Sequence, residues 1–290
     1  MLRISAMLRT AYTFVAQHLT PGIKRALVIL GSGQNDEAIL DVHLKQDWRD
    51  HRIPFADVGI NAPTKAGHAG TFVLSKWDGV PVVVSQGRLH SYQVPNDPRQ
   101  LRHWMTAGLV LMNGSQRVIV HNAVGGLNRY MIEGSIALPT QFIASHFRCD
   151  GYVDGWSDGH PAPEALLPQE GSPFNHLARR YAAEVELPVS QHVARYIVVS
   201  GPRFGGAGER SLFGEVFGCD TVGMSLLPEL DLVAVENMMR APEERIRLGS
   251  IQVVTDNKDH PTDAGVVDVA RQAAPKVAQL IGKLLNDPNW

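Results

Sequence analysis

Residues 26–33, which read ALVILGSG, decide the fold because they join a continuous apolar run to a glycine-flanked turn. A run of five apolar residues is typical of a central strand that is buried on both faces of a sheet. The turn Gly31-Ser32-Gly33 offers backbone N–H groups and a hydroxyl at the end of that strand, which suits an anion. A dinucleotide-binding fingerprint would need a glycine where Asp36 stands, and a P-loop lysine is also absent.

Similar β-rich runs recur along the chain and alternate with helical patterns. One helix is expected after Pro98, where a cap and an N1 proline precede apolar residues at helical spacing. Another is expected over 266–285, with Pro275 kinking or splitting it. The alternation predicts an α/β sandwich around a mostly parallel or mixed sheet. The other strand-like runs are 71–75, 82–85, 118–121, 136–139, 196–200 and 251–255, with further helix candidates at 207–217 and 229–239.

The composition excludes several protein classes. Apolar residues make up 44% of the 290 residues and charged residues 19%, which is typical of a globular enzyme and not of a disordered chain. A formal charge of -2 argues against a dedicated nucleic-acid binder. The two cysteines, Cys149 and Cys219, are too few and too far apart for a disulfide scaffold or a CxxC zinc site.

The domain organisation is predicted from the ends and the one long loop. The loop-like stretch 149–173 could link two domains, but the strands on either side of it look like parts of one sheet. We therefore expect one domain over 1–290, with this loop near the functional site. The start of the chain has no acidic residue before Asp36, as in a transit peptide, yet the apolar stripe over 1–22 favours a helix. No run could span a bilayer, and a cytoplasmic protein is expected.

Five polar, glycine-marked segments follow five of the predicted strands. Arg88 and His90 alternate after the run 82–85, so both side chains point the same way in an extended chain. Ligands of α/β sheets gather outside the carboxyl ends of the strands, so these segments predict one site. Its residue types suit an anion cradle beside an apolar slot with one acid, and a nucleophile elbow is missing. The segments are 31–33, 86–92, 121–128, 200–204 with 223–229, and 255–260.

These segments resemble the trimeric-type purine nucleoside phosphorylases and their methylthioadenosine phosphorylase relatives. The resemblance implies a three-layer α/β sandwich with a mixed, partly barrel-like sheet flanked by helices. It also implies phosphorolysis of purine nucleosides, with inorganic phosphate as co-substrate and no metal or organic cofactor, in a homotrimer. Neither nucleic acid nor membrane is an expected partner. The motifs in family order are GSG at 31–33, GHAG at 67–70, QGRLHSY at 86–92, NAVGGLN at 122–128, GPRF at 201–204 and VGMS at 222–225.

The resemblance also implies roles for individual residues. Phosphate would be held by a set of polar groups, namely Ser32, Arg88, His90, the backbone of Ala123, and Ser225, with His68 close by. The ribose would contact Tyr92 and Met224, with His260 near enough to receive its 5′-hydroxyl. The purine would lie between Phe204 and Val222 and present its N7 and position-6 edge to Asp256. The candidate catalytic residues are Asp256 and His90.

Asp256 could assist the reaction by donating to N7 of the departing purine. A carboxyl group in an apolar slot can stay protonated enough to donate a hydrogen bond. The plainer alternative is that Asp256 caps a turn. Asp256, Asp259, His260 and Asp263 could also suggest a metal site, but the family resemblance favours a solvated loop.

The sequence departs from both branches of the family. The 6-oxopurine enzymes carry Glu after the motif Phe and tend to place Asn at position 256, whereas this chain has Gly205 and Asp256. The methylthioadenosine branch has a second acid where this chain has Lys258, and usually Thr at position 225. The base preference therefore stays open. A neighbouring subunit would close the site with a residue of the long loop, and His160 and Phe174 are the candidates.

Two other functional classes compete with a phosphorylase. A nucleosidase on a similar fold would use water and would not need Ser32, Arg88, His90 and Ser225 together. A non-catalytic purine- or nucleoside-binding relative is suggested by Gly205 in place of the base-reading Glu.

Overall fold

The apolar run Ala26–Leu30 forms the central strand β1, and all five of its residues are buried. This computed structural model describes residues 13, 17–65, 67–144, 166–190, 193–257 and 261–290. The strands in it are β1 (Ala26–Leu30), β2 (Arg52–Pro54), β3 (Thr71–Trp77), β4 (Val80–Gln86), β5 (Arg117–Gly126), β6 (Ile136–Ala137), β7 (Pro139–Ile143), β8 (Ala194–Val198), β9 (Thr221–Gly223) and β10 (Arg247–Asp256). The α-helices are α1 (Glu37–His43), α2 (Arg99–Leu111), α3 (Pro173–Glu184), α4 (Ala207–Ser211), α5 (Leu227–Met238) and α6 (Asp263–Asn286).

The strands form one mixed sheet that branches at β5. Its main path runs β2-β3-β4-β1-β5-β9-β8-β7, and β10 pairs with β5 and β6. The first part of β5 is parallel to β1, and its last two residues, Gly125 and Gly126, pair antiparallel with β9. The predicted α/β fold with a mixed sheet flanked by helices is confirmed. In the described part of the chain the sheet branches and stays open, so no barrel is closed.

Helices cover both faces of this sheet. Alternate residues of β1 point to opposite faces, so Leu27 and Ile29 belong to one apolar cluster and Val28 and Leu30 to the other. The first cluster also contains apolar residues of α2 and α5, and the second contains those of α1, α3 and α6. This is the three-layer arrangement expected for a strand that is apolar on both sides.

Pro275 does not split the last helix, which was one of the two outcomes predicted for it. The helix α6 runs from Asp263 to Asn286 with the proline inside it. Pro275 and Arg271, the residue whose carbonyl loses its helical partner, are both exposed. Water can therefore satisfy that carbonyl, and the buried face of α6 holds the helix together.

Some predicted segments lie outside the described residues. These are most of the N-terminal helix predicted over 1–22 and most of the long loop 149–173. No helix in the described ranges has the length and apolar character needed to cross a membrane.

Candidate active site

A cavity of about 290 Å³ opens at the carboxyl ends of β1, β4, β5, β9 and β10. The polar segments at these strand ends meet there as predicted, although β9 runs antiparallel to the end of β5. The candidate residues that line it are Ser32, His68, Arg88, His90, Tyr92, Ala123, Phe204, Val222, Met224, Ser225 and Asp256. His160 and His260 lie outside the described residues.

Arg88 is held at one end of the cavity by a buried carboxylate. Its side chain is 1% exposed, and Nη1 donates to Oε1 of Glu229 at 2.8 Å. Nη2 donates to the carbonyl of His121. Arg88 Nε has no hydrogen-bond partner among the described residues. A buried donor without a partner is costly, so this end of the cavity favours an anionic ligand.

His68 connects the Arg88 segment to the turn after β1. Its Nδ1 lies 2.9 Å from the backbone nitrogen and 3.2 Å from the carbonyl oxygen of Arg88. When Nδ1 accepts from that N–H, the proton of the neutral ring is on Nε2. Nε2 lies 3.3 Å from Oγ of Ser32. Burial, together with the charge of Arg88, lowers the pKa of His68 to about 3. His68 is therefore neutral at pH 7 and can donate towards Ser32 or a bound anion.

His90 lies beside His68 at the same end of the cavity. Its backbone N–H and its Nδ1 both reach Oε1 of Gln93, at 2.9 and 3.1 Å. The ring stacks on Tyr92 with centroids 5.2 Å apart. Burial, His68 and Arg88 lower the pKa of His90 well below its ordinary value. A bound dianion would act in the opposite direction, since it favours the protonated ring.

Two further groups complete the polar end. Tyr196 on β8 donates its hydroxyl to the carbonyl of Ser225 at 2.7 Å and so fixes the segment after β9. Asn122 lines the cavity beside Ala123, and neither atom of its amide has a partner in the described ranges. The polar end therefore has a fixed segment after β9 and, at Asn122, an amide that is left for a ligand.

The middle and the far end of the cavity are more apolar. Tyr92 and Met224 converge on Gly201, where an added side-chain carbon would lie within 3 Å of both. Phe204 and Val222 line this part of the cavity, and Nζ of Lys65 lies 5.6 Å from the centre of the Phe204 ring. An aromatic ring and an aliphatic side chain in a cavity wall suit a flat heterocycle.

Asp256 lies at this far end, but its surroundings differ from the apolar slot that was expected. Nη1 of Arg210 is 3.4 Å from its Oδ1, and both side chains are largely buried. A neighbouring guanidinium stabilises the carboxylate and not the carboxylic acid. The expected role of Asp256 as a hydrogen-bond donor therefore has no support in this geometry, whereas a role as an acceptor does.

Phe174 is not available to a neighbouring site, which corrects a second expectation. It lies in the first turn of α3, where it is 4% exposed. Its ring packs on Trp290 with centroids 4.9 Å apart and contacts the backbone of Gly249. Of the suspected metal cluster, Asp259 and His260 lie outside the described residues, and the described ranges contain no metal-holding group of three acidic, His or Cys residues.

The predicted segments include Glu229 and His121, but their role in supporting the site from behind was not predicted. Glu229 is an acid within the apolar pattern of α5, and such a residue is usually paired when it is buried. His121 ends an apolar strand run, and its Nδ1 accepts from the N–H of Gly31 at 3.3 Å. No sequence pattern indicated that Arg210 belongs to the site, because it lies 46 positions from Asp256 in the chain.

Comparison with known proteins supplies the family. A sequence model described as "Phosphorylase superfamily" matches residues 25–286. The purine nucleoside phosphorylase of Saccharomyces cerevisiae is 30% identical over 226 residues, which span 71% of this chain and 66% of the yeast protein. Purine nucleoside phosphorylase 1 of Bacillus subtilis is 31% identical over 229 residues, 76% of this chain and 77% of that protein.

Two other relatives extend this comparison. The S-methyl-5′-thioadenosine phosphorylase of Pyrobaculum aerophilum is 29% identical over 174 residues, 59% of this chain and 56% of that protein. A crystal structure of isoform 2 of Schistosoma mansoni purine nucleoside phosphorylase, in complex with cytosine and ribose-1-phosphate, superposes with a TM-score of 0.74. At 21% identity it covers 97% of this chain and 96% of its own, so the likeness concerns the fold.

Proposed function

The chain belongs to the purine nucleoside and methylthioadenosine phosphorylases of the phosphorylase superfamily, and we propose that it cleaves purine nucleosides with inorganic phosphate. The observation that carries the proposal is the polarity of the cavity. One end holds the buried Arg88 with its unpartnered Nε, and the rest of the cavity wall includes the aromatic Phe204 and the aliphatic Val222. A nucleoside and a phosphate ion have the matching arrangement of flat base, sugar and anion.

The reaction is a displacement at the anomeric carbon of the sugar. An oxygen of hydrogen phosphate forms the bond to C1′ while the bond from C1′ to N9 breaks, and the electron pair of that bond stays on the purine. The proton of hydrogen phosphate ends on the purine, so the products are the free base and a pentose 1-phosphate. A positioned phosphate beside the sugar supplies both the nucleophile and a negative charge that stabilises the oxocarbenium-like transition state.

The polar residues have distinct tasks in this proposal. Arg88 holds the phosphate by charge, with Ser32 and Ser225 offering hydroxyl donors and the neutral His68 an N–H. A bound dianion would raise the lowered pKa of His90, because its negative charge favours the protonated ring. The family resemblance implies that no metal takes part, so we expect activity to persist after treatment with a chelator.

The test is base release from adenosine, methylthioadenosine, inosine and guanosine, each with and without phosphate. The proposal predicts release that requires phosphate. Release that is independent of phosphate would identify a nucleosidase, and binding of nucleosides without release would identify a non-catalytic relative.

A methylthioadenosine phosphorylase is the second candidate, and Asp256 is the residue that favours it. A carboxylate at the far end of the cavity can accept a hydrogen bond from the exocyclic amine of an adenine ring. The ratio of the rates with methylthioadenosine and inosine separates the two candidates.

We also propose a homotrimer in the cytoplasm, by analogy with the family. Sedimentation equilibrium tests the first part, since a monomer at micromolar concentration would contradict it. Fluorescence microscopy of the tagged full chain tests the second.

A further inference from the structure

Lys65 is a cation on the cavity wall that the proposed reaction has not yet used. It lies on the segment between β2 and β3, three residues before His68, and its carbonyl accepts from the N–H of His68 at 3.3 Å. Its side chain is 18% exposed, and its Nζ lies 2.6 Å from Oδ1 of Asp263 at the start of α6. The segment thus brings Lys65 into the cavity wall next to a residue of the phosphate end.

The other charged side chains on the described part of the wall have their counter-charges on the wall or in the core. These ion pairs are Arg88 with Glu229, Arg203 with Glu209, and Arg210 with Asp256. Asp263, the partner of Lys65, is 71% exposed and does not line the cavity. An ion pair with a solvated carboxylate is weak. Among the described wall residues, Lys65 is therefore the cation whose counter-charge lies in solvent.

The phosphate end needs a further cation. Arg88 and Glu229 are each 1% exposed and lie 2.8 Å apart, so this buried pair has no net charge. His68 and His90 beside it are neutral at pH 7, because burial lowers the pKa of each ring. A phosphate group carries a charge of about -1.5 to -2 near neutral pH. Placing that charge beside a neutral pair is costly unless another cation approaches it.

The charge of Lys65 already acts on this end of the cavity. Burial is the largest cause of the lowered pKa of His68 and of His90, and the positive charge of Lys65 adds to it in both cases. The backbone of the segment is held in place, because Nδ2 of Asn35 donates to the carbonyl of Gly67 at 2.7 Å. The flexible stem of a lysine lets its ammonium group move while the backbone stays fixed.

We propose that Lys65 is a second phosphate-binding cation, which leaves Asp263 and contacts the phosphate ion when that ion enters the cavity. The inference rests on the proposed function and adds a residue to its phosphate site. Arg88 holds the ion from the side of the core, and Lys65 holds it from the segment between β2 and β3. Asp263 is the resting partner, which competes with the ion for the ammonium group and is solvated when the ion binds.

Calorimetric titration of the protein with inorganic phosphate, without nucleoside, tests this proposal. Lys65→Met should raise the Kd for phosphate by about 10-fold, at the lower end of the range for a hydrogen bond to a charged group. Lys65→Arg should retain most of the affinity, because the positive charge remains. Asp263→Asn should lower the Kd by about 2-fold to 5-fold, because a competing surface ion pair is lost.

The opposite signs of the two effects separate binding from a structural role. An ion pair that only ties the segment to α6 would give weaker phosphate binding when either partner is replaced. In the double variant, Asp263→Asn should add nothing to Lys65→Met, because Asp263 acts through Lys65. The matched controls are Lys45→Met and Asp47→Asn, which break an exposed 2.7 Å ion pair outside the cavity wall and should leave the Kd unchanged.

An unchanged Kd in Lys65→Met would overturn the proposal, and so would weaker phosphate binding by Asp263→Asn. Failure of the proposed function has a different signature. In that case the two variants still change the affinity for phosphate in opposite directions, but no base is released from any purine nucleoside in the presence of phosphate.

Discussion

The two ends of the cavity are built from different parts of the fold. The phosphate end consists of turns that directly follow β1 and β4, and its main cation, Arg88, is paired with Glu229 in the core. The base end combines Val222 on β9 and Asp256 on β10 with the segment 199–206 and α4, where the ion pair of Arg203 with Glu209 is exposed to solvent. The phosphate end is thus fixed by the sheet and its core, whereas the base end also includes a peripheral segment.

The glycines at the two ends show the same contrast. Gly87 has a φ of +99°, and a side-chain carbon there would lie 2.6 Å from Cβ of His68. Gly208 on α4 has nothing within 4 Å of that position. The backbone at Gly87 admits no side chain, whereas the position of Gly208 on α4 has room for one. A substitution should therefore cost more at the first end than at the second.

The largest effect is expected for Arg88→Met. The KM for phosphate should rise by about 100-fold or more, since a buried charge-assisted contact is lost. The free energy of unfolding should fall by about 3–5 kcal/mol because Glu229 is left buried without its partner. Steady-state kinetics and urea unfolding measure the two effects.

A double variant separates stability from binding at this position. Arg88→Met combined with Glu229→Leu should recover most of the stability, because an apolar pair can replace a buried ion pair. It should not recover the affinity for phosphate. A normal KM for phosphate in either variant would show that Arg88 does not hold the anion.

Gly87→Ala should be the next most damaging change. The positive φ and the contact with His68 together should lower the free energy of unfolding by about 3 kcal/mol. The matched control is Gly208→Ala, which should raise stability by about 0.5–1 kcal/mol because glycine is unfavourable within a helix. Thermal unfolding of both variants measures the two changes in stability. Equal changes would contradict the difference between the two ends.

Acidification should lower the free energy of unfolding through the buried histidines of the phosphate end. Burial, with the charge of Arg88, lowers the pKa of His121 to about 3, below its ordinary value of 6.5. The unfolded chain takes up the proton between these values and the folded protein does not, so stability falls as the pH drops below about 6.5. Between pH 7 and pH 5, His121 alone should account for about 2 kcal/mol.

Two variants test this pH dependence. His121→Asn should flatten the dependence of the unfolding free energy on pH by that amount, as measured by urea unfolding from pH 5 to pH 8. His176→Asn, on the exposed face of α3, is the control and should leave the slope in place. An unchanged slope in His121→Asn would contradict the assignment.

The smallest effect is expected at the base end, for Phe204→Ala. Loss of stacking on the purine should raise the KM for the nucleoside by about 10-fold, which is within the range for an aromatic contact to a base. The KM for phosphate should stay the same, because the ring lies at the other end of the cavity. Tyr130→Ala, at an exposed aromatic residue outside the cavity wall, is the control. An equal rise of the KM for the nucleoside and the KM for phosphate would contradict the assignment of Phe204 to the base end.

The same contrast explains how much of the site could be predicted from the sequence alone. The strand-end rule predicted the gathering of Ser32, Arg88 and the segment around Ala123, because those residues directly follow strands whose apolar runs are easily recognised. The pairing of Arg210 with Asp256 could not be predicted in this way. It depends on how α4 packs beside the end of β10, which no local pattern encodes.

Phe174 shows that a local signal can also be overlooked. Ser172 and Pro173 are a helix cap and an N1 proline, and the Ser172 hydroxyl accepts from the N–H of Asn175. This signature predicts that α3 begins there and that an apolar residue in its first turn can be buried. The predicted loop 149–173 included this cap and proline, so no helix was predicted there.

The central claim is that phosphate bound at the Arg88 end attacks the sugar of a nucleoside held at the other end. ³¹P NMR of the protein with adenosine and phosphate tests it most directly, with the base quantified in the same sample. A pentose 1-phosphate resonance is expected to appear in equal amount to the free base, and both products should form much more slowly with Arg88→Met at the same phosphate concentration. Free base accompanied by unphosphorylated ribose, or no base at all from any purine nucleoside, would contradict the claim.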